Sequence, residues 1–271
     1  MTPLDQFKDQ RILITGAEGS LGRELRKQLF IAGTRRYLDY FLTDIGSMDV
    51  RDLLRVSTIV DEVRPDVIFH LAGAKHAPEG ELDPFSVART NIEGTDNVLM
   101  AARSVGAKVV LASSCKACNP ETAYGATKLI AERMVLNAGG TVARFYNIVE
   151  TCGNVFETWR SLDEDEALPV TPCSRYFISI DQAIDLLLWC AVLPSGRYCV
   201  DPGEPRRMAD VATELYPGRP QRRILPRRGD RLVEPRYAVG EVAVPLDFAG
   251  VESVWSPHDP VRQPIREEIA A

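Results

Sequence analysis

Residues 12–22 read ILITGAEGSLG, and their order decides the fold. The apolar run Ile12 to Ile14 reads as a buried strand, glycines follow at 16, 19 and 22, and Ser20 opens an amphipathic helix to about Ile31. Glycine is needed where a chain turns sharply out of a strand and brings its backbone against a phosphate, whose charge the exposed amides of a helix start favour. The glycine spacing alone is weak evidence. Strand, glycines and helix in this order make Gly16, Gly19, Ser20, Leu21 and Gly22 a dinucleotide-binding turn.

Apolar strands and amphipathic helices continue to alternate up to residue 147. Strands are expected within RRYLDYFLTD (35–44), DVIFHLAG (66–73), KVVLASS (108–114) and TVARFYN (141–147). Helices are expected within DLLRVSTIVDEV (52–63), NIEGTDNVLMAARSVG (91–106) and AYGATKLIAERMVLN (123–137). This is the pattern of a parallel sheet covered on both faces. The fold class is α/β, a Rossmann-like doubly wound parallel sheet with a small interleaved C-terminal substrate-binding region. Residues 1–147 form the NAD(P)-binding domain and carry the catalytic residues. Residues 148–271 form a looser second region, of which 176–200, with a helix around Asp181 to Val192, is expected to return to the core.

Asp44 closes the second expected strand, 22 residues after Gly22, where an acid bonds the adenosine ribose and repels a 2′-phosphate. That favours NAD, while Arg35 and Arg36 keep NADP open. Asp49 and Val50 of DVRD are placed on the adenine side, Asp52 reads as a helix cap, and Ala72 follows the third strand where the chain passes the cofactor.

The composition, 45% hydrophobic and 26% charged, suits a globular protein with a full core. The net charge of −6 argues against nucleic acid as a partner, although the arginines between Arg206 and Arg236 could hold one phosphorylated small molecule. No window reaches the roughly 18 apolar residues of a membrane span, so no membrane association and a cytoplasmic location are expected. Six cysteines, at 115, 118, 152, 173, 190 and 199, read as reduced thiols. Only Cys115 and Cys118 form a CxxC, without the second pair a zinc site needs, so no metal is expected.

In AYGATK, Tyr124 and Lys128 stand at i and i+4, on one face of a helix. A phenol with a pKa near 10 is a poor base at neutral pH, and an adjacent ammonium lowers it. The pair can then take a hydroxyl proton while hydride leaves for a nicotinamide.

With these motifs together, the sequence resembles the extended short-chain dehydrogenase/reductase superfamily and, more narrowly, its UDP-N-acetylglucosamine dehydratase branch of polysaccharide biosynthesis proteins. Matching segments run from Arg11 to about Tyr237 and include ILITGAEGSLG, DVIFHLAGAKHAP, TNIEGTDNVL, SSCKACNPETAYGATK, VARFYNIVETCGNV, LPVTPCSRYFISIDQAIDLLL and RRGDRL. The resemblance implies a nucleotide-sugar substrate bound mainly by 148–271, a tightly held nicotinamide cofactor and a homo-oligomer. In that branch a strand ends in Thr-Asp-Lys, the Lys removing the sugar C5 proton and the Asp protonating the departing C6 hydroxyl. Lys116 matches the Lys, and Cys115 occupies the Asp position, as in the tunicamycin-pathway 5,6-dehydratase. A thiol of pKa near 8.5 still carries its proton at pH 7 and can donate it. The alternative is a small Cys that only packs.

By the same resemblance Lys75 and Ser114 contact substrate, Asn91 supports the active-site helix, and Asn147 lies near the substrate diphosphate. Arg175, Arg227 and Asp230 hold the diphosphate and nucleoside ribose, residue types that suit phosphate oxygens and a diol. Arg228 replaces a family Pro, and His70, inside an apolar strand, reads as packing. Three activities are compatible with these residues: 4,6- or 5,6-dehydration of UDP-GlcNAc or a close relative, 4-epimerisation of a UDP-sugar, or dinucleotide binding without catalysis.

Overall fold

Ile12, Leu13, Ile14 and Thr15 are all at most 1% exposed, which a strand achieves only when both faces of its sheet are covered. The computed structural model of the chain describes residues 3–31, 42–43, 46–75, 77–248 and 250–260. Strand β1 (Ile12–Thr15) leads through Gly16 into α1 (Ser20–Ile31), followed by β2 (Leu42–Thr43), α2 (Leu53–Val63) and β3 (Val67–His70). Short helices α3 (Ala77–Leu82) and α4 (Pro84–Ala88) and a π-helical turn (Arg89–Glu93) precede α5 (Gly94–Val105). Then come β4 (Lys108–Ser114), α6 (Ala123–Asn137) and β5 (Thr141–Phe145). These five strands are mutually parallel in the order β5-β4-β3-β1-β2.

Local chemistry sets the joints. Asp52 caps α2 by accepting from the Arg55 amide at 3.0 Å, and Thr122 caps α6 through the Gly125 amide at 3.0 Å. Gly16 adopts φ +69°, and a Cβ there would stand 2.7 Å from the Ala72 backbone nitrogen, so only glycine lets β1 leave the sheet against the end of β3. Apolar faces of α1 and α8 (Ile180–Val192) cover one side of the sheet, with Leu25, Leu29, Ile184 and Leu187 fully buried. Helices α2, α5 and α6 cover the other through Val56, Ile59, Val98 and Val135.

After β5 the chain passes α7 (Val155–Ser161) and α8, then returns to the sheet as β6 (Gly196–Val200), parallel to β5. Beyond α9 (Met208–Leu215), β7 (Val242–Pro245) and β8 (Val251–Trp255) add two antiparallel strands, completing eight in the order β7-β8-β6-β5-β4-β3-β1-β2. The expectation for 148–271 brought only 176–200 back to the core; the structure adds 242–255, because Val251 to Val254 of β8 pair with Val200 to Arg197 of β6. What stands apart is a small cluster in which Phe156, Trp159, Leu168, Met208 and Val211 bury one another. Among the described residues no helix is long and apolar enough to cross a membrane.

Candidate active site

The C-terminal ends of β1, β3, β4 and β5 open into one cleft of about 760 Å³, the place where parallel α/β sheets bind ligands. One end is formed by Gly16, Gly19 and the first turn of α1 at Ser20, Leu21 and Gly22. Helix geometry leaves such first-turn amides without intrahelical partners, so this end suits an anion. Val50 and Asp49 line the flank; the Asp49 carboxylate is held by Arg51 at 2.6 Å, which keeps it below the usual carboxylate range. Asp44, expected to select the cofactor, lies outside the described residues.

The floor passes Ala72 and Gly73 to Ser114, Lys116, Tyr124 and Lys128. Gly73 is backed closely: a Cβ on it would sit 3.0 Å from Asn91 Oδ1 and 3.2 Å from Lys128 Nζ. Asn91, buried in the π-helical turn, accepts from the Ala74 amide at 2.9 Å and donates to Thr127 Oγ1 at 3.0 Å. It thereby ties the loop after β3 to α6. His70 is buried with hydroxyls on both ring nitrogens, Thr15 at 2.8 Å and Thr95 at 3.1 Å, and burial together with the charge of Lys128 lowers its pKa to about 3. It packs as a neutral ring.

Tyr124 and Lys128 both face the cleft from α6, one turn apart. Lys128 Nζ donates to the Ala112 carbonyl at 3.0 Å, and burial lowers its pKa to about 8. The expected net lowering of the Tyr124 phenol does not occur in this structure: burial raises it, and the groups opposing that rise are the Lys116 charge and the Ser114 hydroxyl. Lys116, in the turn after β4, and not Lys128 is the cation that opposes the rise of the phenol.

Behind this end, outside the cleft lining, stand the buried Cys115 and a carboxylate that sequence reading missed. Glu234, 3% exposed, accepts from Lys116 Nζ at 2.7 Å on Oε1, which also forms an ion pair with Arg175 Nε at 3.3 Å. Its Oε2 accepts from Asn147 Nδ2 at 2.8 Å and from the Cys115 thiol at 3.4 Å. Burial resists the negative charge, and Lys116 and Arg175 overcome it, so Glu234 stays ionised below the usual range. The same geometry acts on its neighbours. Burial and then Glu234 push the Cys115 thiol up to about 12; burial pulls the Lys116 ammonium down, but Cys115 and Glu234 outweigh it and the net shift is upward. The signal in the sequence was slight: one acid between Val233 and Pro235, far along the chain from Lys116.

The substrate-side residues divide. Lys75, Ser114 and Asn147 line the cleft, with Lys75 Nζ on the Cys152 carbonyl at 3.1 Å. Arg175, Arg227 and Asp230 do not. Arg175 is 8% exposed and turned inward to Glu234, Asp230 and the Arg231 carbonyl, while Asp230 closes a turn on the Arg227 amide at 2.9 Å. The Arg175 guanidinium is thus paired with two carboxylates, Glu234 and Asp230.

The chain is similar to several known proteins. The probable polysaccharide biosynthesis protein EpsC of Bacillus subtilis is 31% identical over 245 residues, 78% of this chain and 41% of EpsC, so the chain spans about two fifths of that relative. The inverting UDP-N-acetylglucosamine 4,6-dehydratase of Campylobacter jejuni is 31% identical over 262 residues, 84% of this chain and 77% of the relative. Among solved structures, Pen from Bacillus thuringiensis superposes with a TM-score of 0.78 at 25% identity, covering 93% of this chain and 89% of Pen. The sequence model for polysaccharide biosynthesis proteins matches residues 34–235, a span that contains Lys116, Tyr124, Lys128 and Glu234 alike. By that match the chain belongs to the polysaccharide biosynthesis protein family.

Proposed function

We propose that the chain is a nicotinamide-dependent dehydratase acting on a UDP-sugar, UDP-GlcNAc or a close relative, through transient oxidation at C4 and loss of water across C5 and C6. The residues present fit a dinucleotide: glycines 16, 19 and 22, the open amides at the start of α1 and the close floor at Gly73 lie along one cleft. When bound there, a nicotinamide dinucleotide supplies a hydride acceptor; NAD is the expected form and NADP the alternative. Tyr124 takes the proton of the C4 hydroxyl as hydride departs, with Lys116 and Ser114 opposing the effect of burial on the phenol. The C4 ketone acidifies C5–H, Lys116 removes that proton, and Cys115 stands behind it as a proton donor to the C6 hydroxyl. Lys75, Ser114 and Asn147 are the described groups placed to position the sugar nucleotide.

One observation carries the reading. Lys116 shares the floor of the cleft with Tyr124 and is backed by Glu234 and Cys115, an acid–base group that oxidation and re-reduction at C4 do not require. Incubation with UDP-GlcNAc and NAD, followed by mass spectrometry, is expected to show loss of one water. In deuterated buffer, deuterium at C5 beside a C6 methyl marks the 4,6 route and a vinylic C6 marks the 5,6 route. An isomer of unchanged mass would replace this reading with a 4-epimerase. Bound dinucleotide with every UDP-sugar left intact would replace it with a silent binding protein.

A further inference from the structure

We propose that Glu234 is the proton relay of the site, its two carboxylate oxygens carrying the proton released by Lys116 to Cys115 within each turnover. The proposal rests on the dehydratase reading and adds a residue to it. Elimination poses a problem that Lys116 and Cys115 cannot solve alone. An ammonium must lose a proton before it can act as a base, and a thiol that has protonated a leaving hydroxide must recover one. Between them stands one buried carboxylate, with Oε1 2.7 Å from the ammonium and Oε2 3.4 Å from the sulfur. Asn147 at 2.8 Å and Arg175 at 3.3 Å hold it from its remaining sides.

The proton balance closes. Lys116 and Glu234 rest as ammonium and carboxylate; the amine forms only transiently, when Lys116 passes one ammonium proton to Glu234 Oε1, and it then takes the C5 proton and regains its charge. The C5–H electron pair forms the C5–C6 double bond as the C6–O bond breaks. The departing hydroxide takes the thiol proton of Cys115 and leaves as water. A half-turn of the carboxyl about Cγ–Cδ, a two-fold torsion, presents the proton on Glu234 to the thiolate. Lys116, Glu234 and Cys115 end the cycle as they began, and the water carries away one proton in place of the one taken from C5. The same geometry accounts for the shift of the Cys115 thiol to about 12: burial and the facing carboxylate keep it protonated until hydroxide, a far stronger base, takes the proton.

Glu234→Gln keeps the shape and a hydrogen-bond acceptor for Lys116 but cannot take up its proton. With UDP-GlcNAc it is expected still to transfer hydride, read at the nicotinamide absorbance, while water loss falls by about 100-fold. Glu234→Asp, which restores a carboxylate, is expected to recover about tenfold of that loss. In the protein without sugar, Glu234→Gln is also expected to move the titration of Cys115, followed by carbon NMR of labelled cysteine, to lower pH. Water loss at the wild-type rate in Glu234→Gln overturns the relay. So does an equal fall of hydride transfer and water loss in both variants, which would make Glu234 scaffold only, and so does an unmoved Cys115 titration. A wild-type protein that removes no water from any UDP-sugar overturns the functional reading itself.

Discussion

Two buried carboxylates bind the C-terminal third of the chain to the central sheet, and they differ in what they are bonded to. Glu132, on α6 two turns after Tyr124, is fully buried and accepts from Arg144 at 2.6 and 3.0 Å, Arg197 at 2.8 Å and Ser113 at 2.6 Å. The same two arginines reach Glu241 at 2.6 Å and Asp259 at 2.9 Å, so the cluster fastens the chain after β6 to β5 and α6. Glu234 fastens the same part of the chain to the end of β4, but through an ammonium, a thiol, an amide and one guanidinium. A guanidinium keeps its proton under any working condition, so the arginines bonded to Glu132 can only hold it. An ammonium and a thiol can each release and recover a proton, so the Glu234 cluster can do chemistry. The donor types, more than burial or charge, separate a group that can only hold from one that can exchange protons.

The largest effect expected from this contrast is on stability. Glu132→Ala leaves two buried guanidiniums without their shared carboxylate and is expected to cost about 3–5 kcal/mol in urea unfolding, the usual result of breaking a buried pair. A loss below about 1 kcal/mol, the cost of an ordinary substitution, would end the description of this cluster as a clamp. Cys115→Ala should show the opposite profile. Its stability is expected to change by about 1 kcal/mol, whereas water loss from the sugar falls by about 100-fold and hydride transfer falls less. Equal rates in that variant and wild type would remove Cys115 from the mechanism.

The smallest effect is on pH dependence. Burial works against the Glu132 charge, but Arg144 and Arg197 overcome it and lower its pKa from 4.5 to about 2. A carboxylate depressed on folding contributes stability that is whole above the unfolded value and is lost as pH falls through the folded one. Wild-type protein is therefore expected to lose stability more steeply than Glu132→Gln between pH 4.5 and 2, measured by urea unfolding across that range. Parallel curves would show that the arginines do not hold Glu132 ionised.

Much of the fold was legible because its signals are local. The apolar run before Gly16, the glycine spacing and the amphipathic turn after Ser20 report β1 and α1 without reference to the rest of the chain. Tyr124 and Lys128 were legible for the same reason, since four residues on a helix fix a shared face. Their protonation was not. The Tyr124 phenol is raised by burial and opposed by Lys116, quantities that depend on what packs around it.

By itself, then, the sequence determined the alternation of strand and helix, the glycine turn at Gly16 to Gly22 and the placing of Tyr124, Lys128, Cys115 and Lys116 at one end of the sheet. Tertiary structure alone decided that Arg175 turns inward, that β7 and β8 extend the sheet, and that Glu234 closes on Lys116 across 118 residues of chain. Periodicity and short spacings are properties of neighbouring residues. The meeting of distant segments is set by packing, and a lone acid between Val233 and Pro235 carries no local mark of the partners it will find.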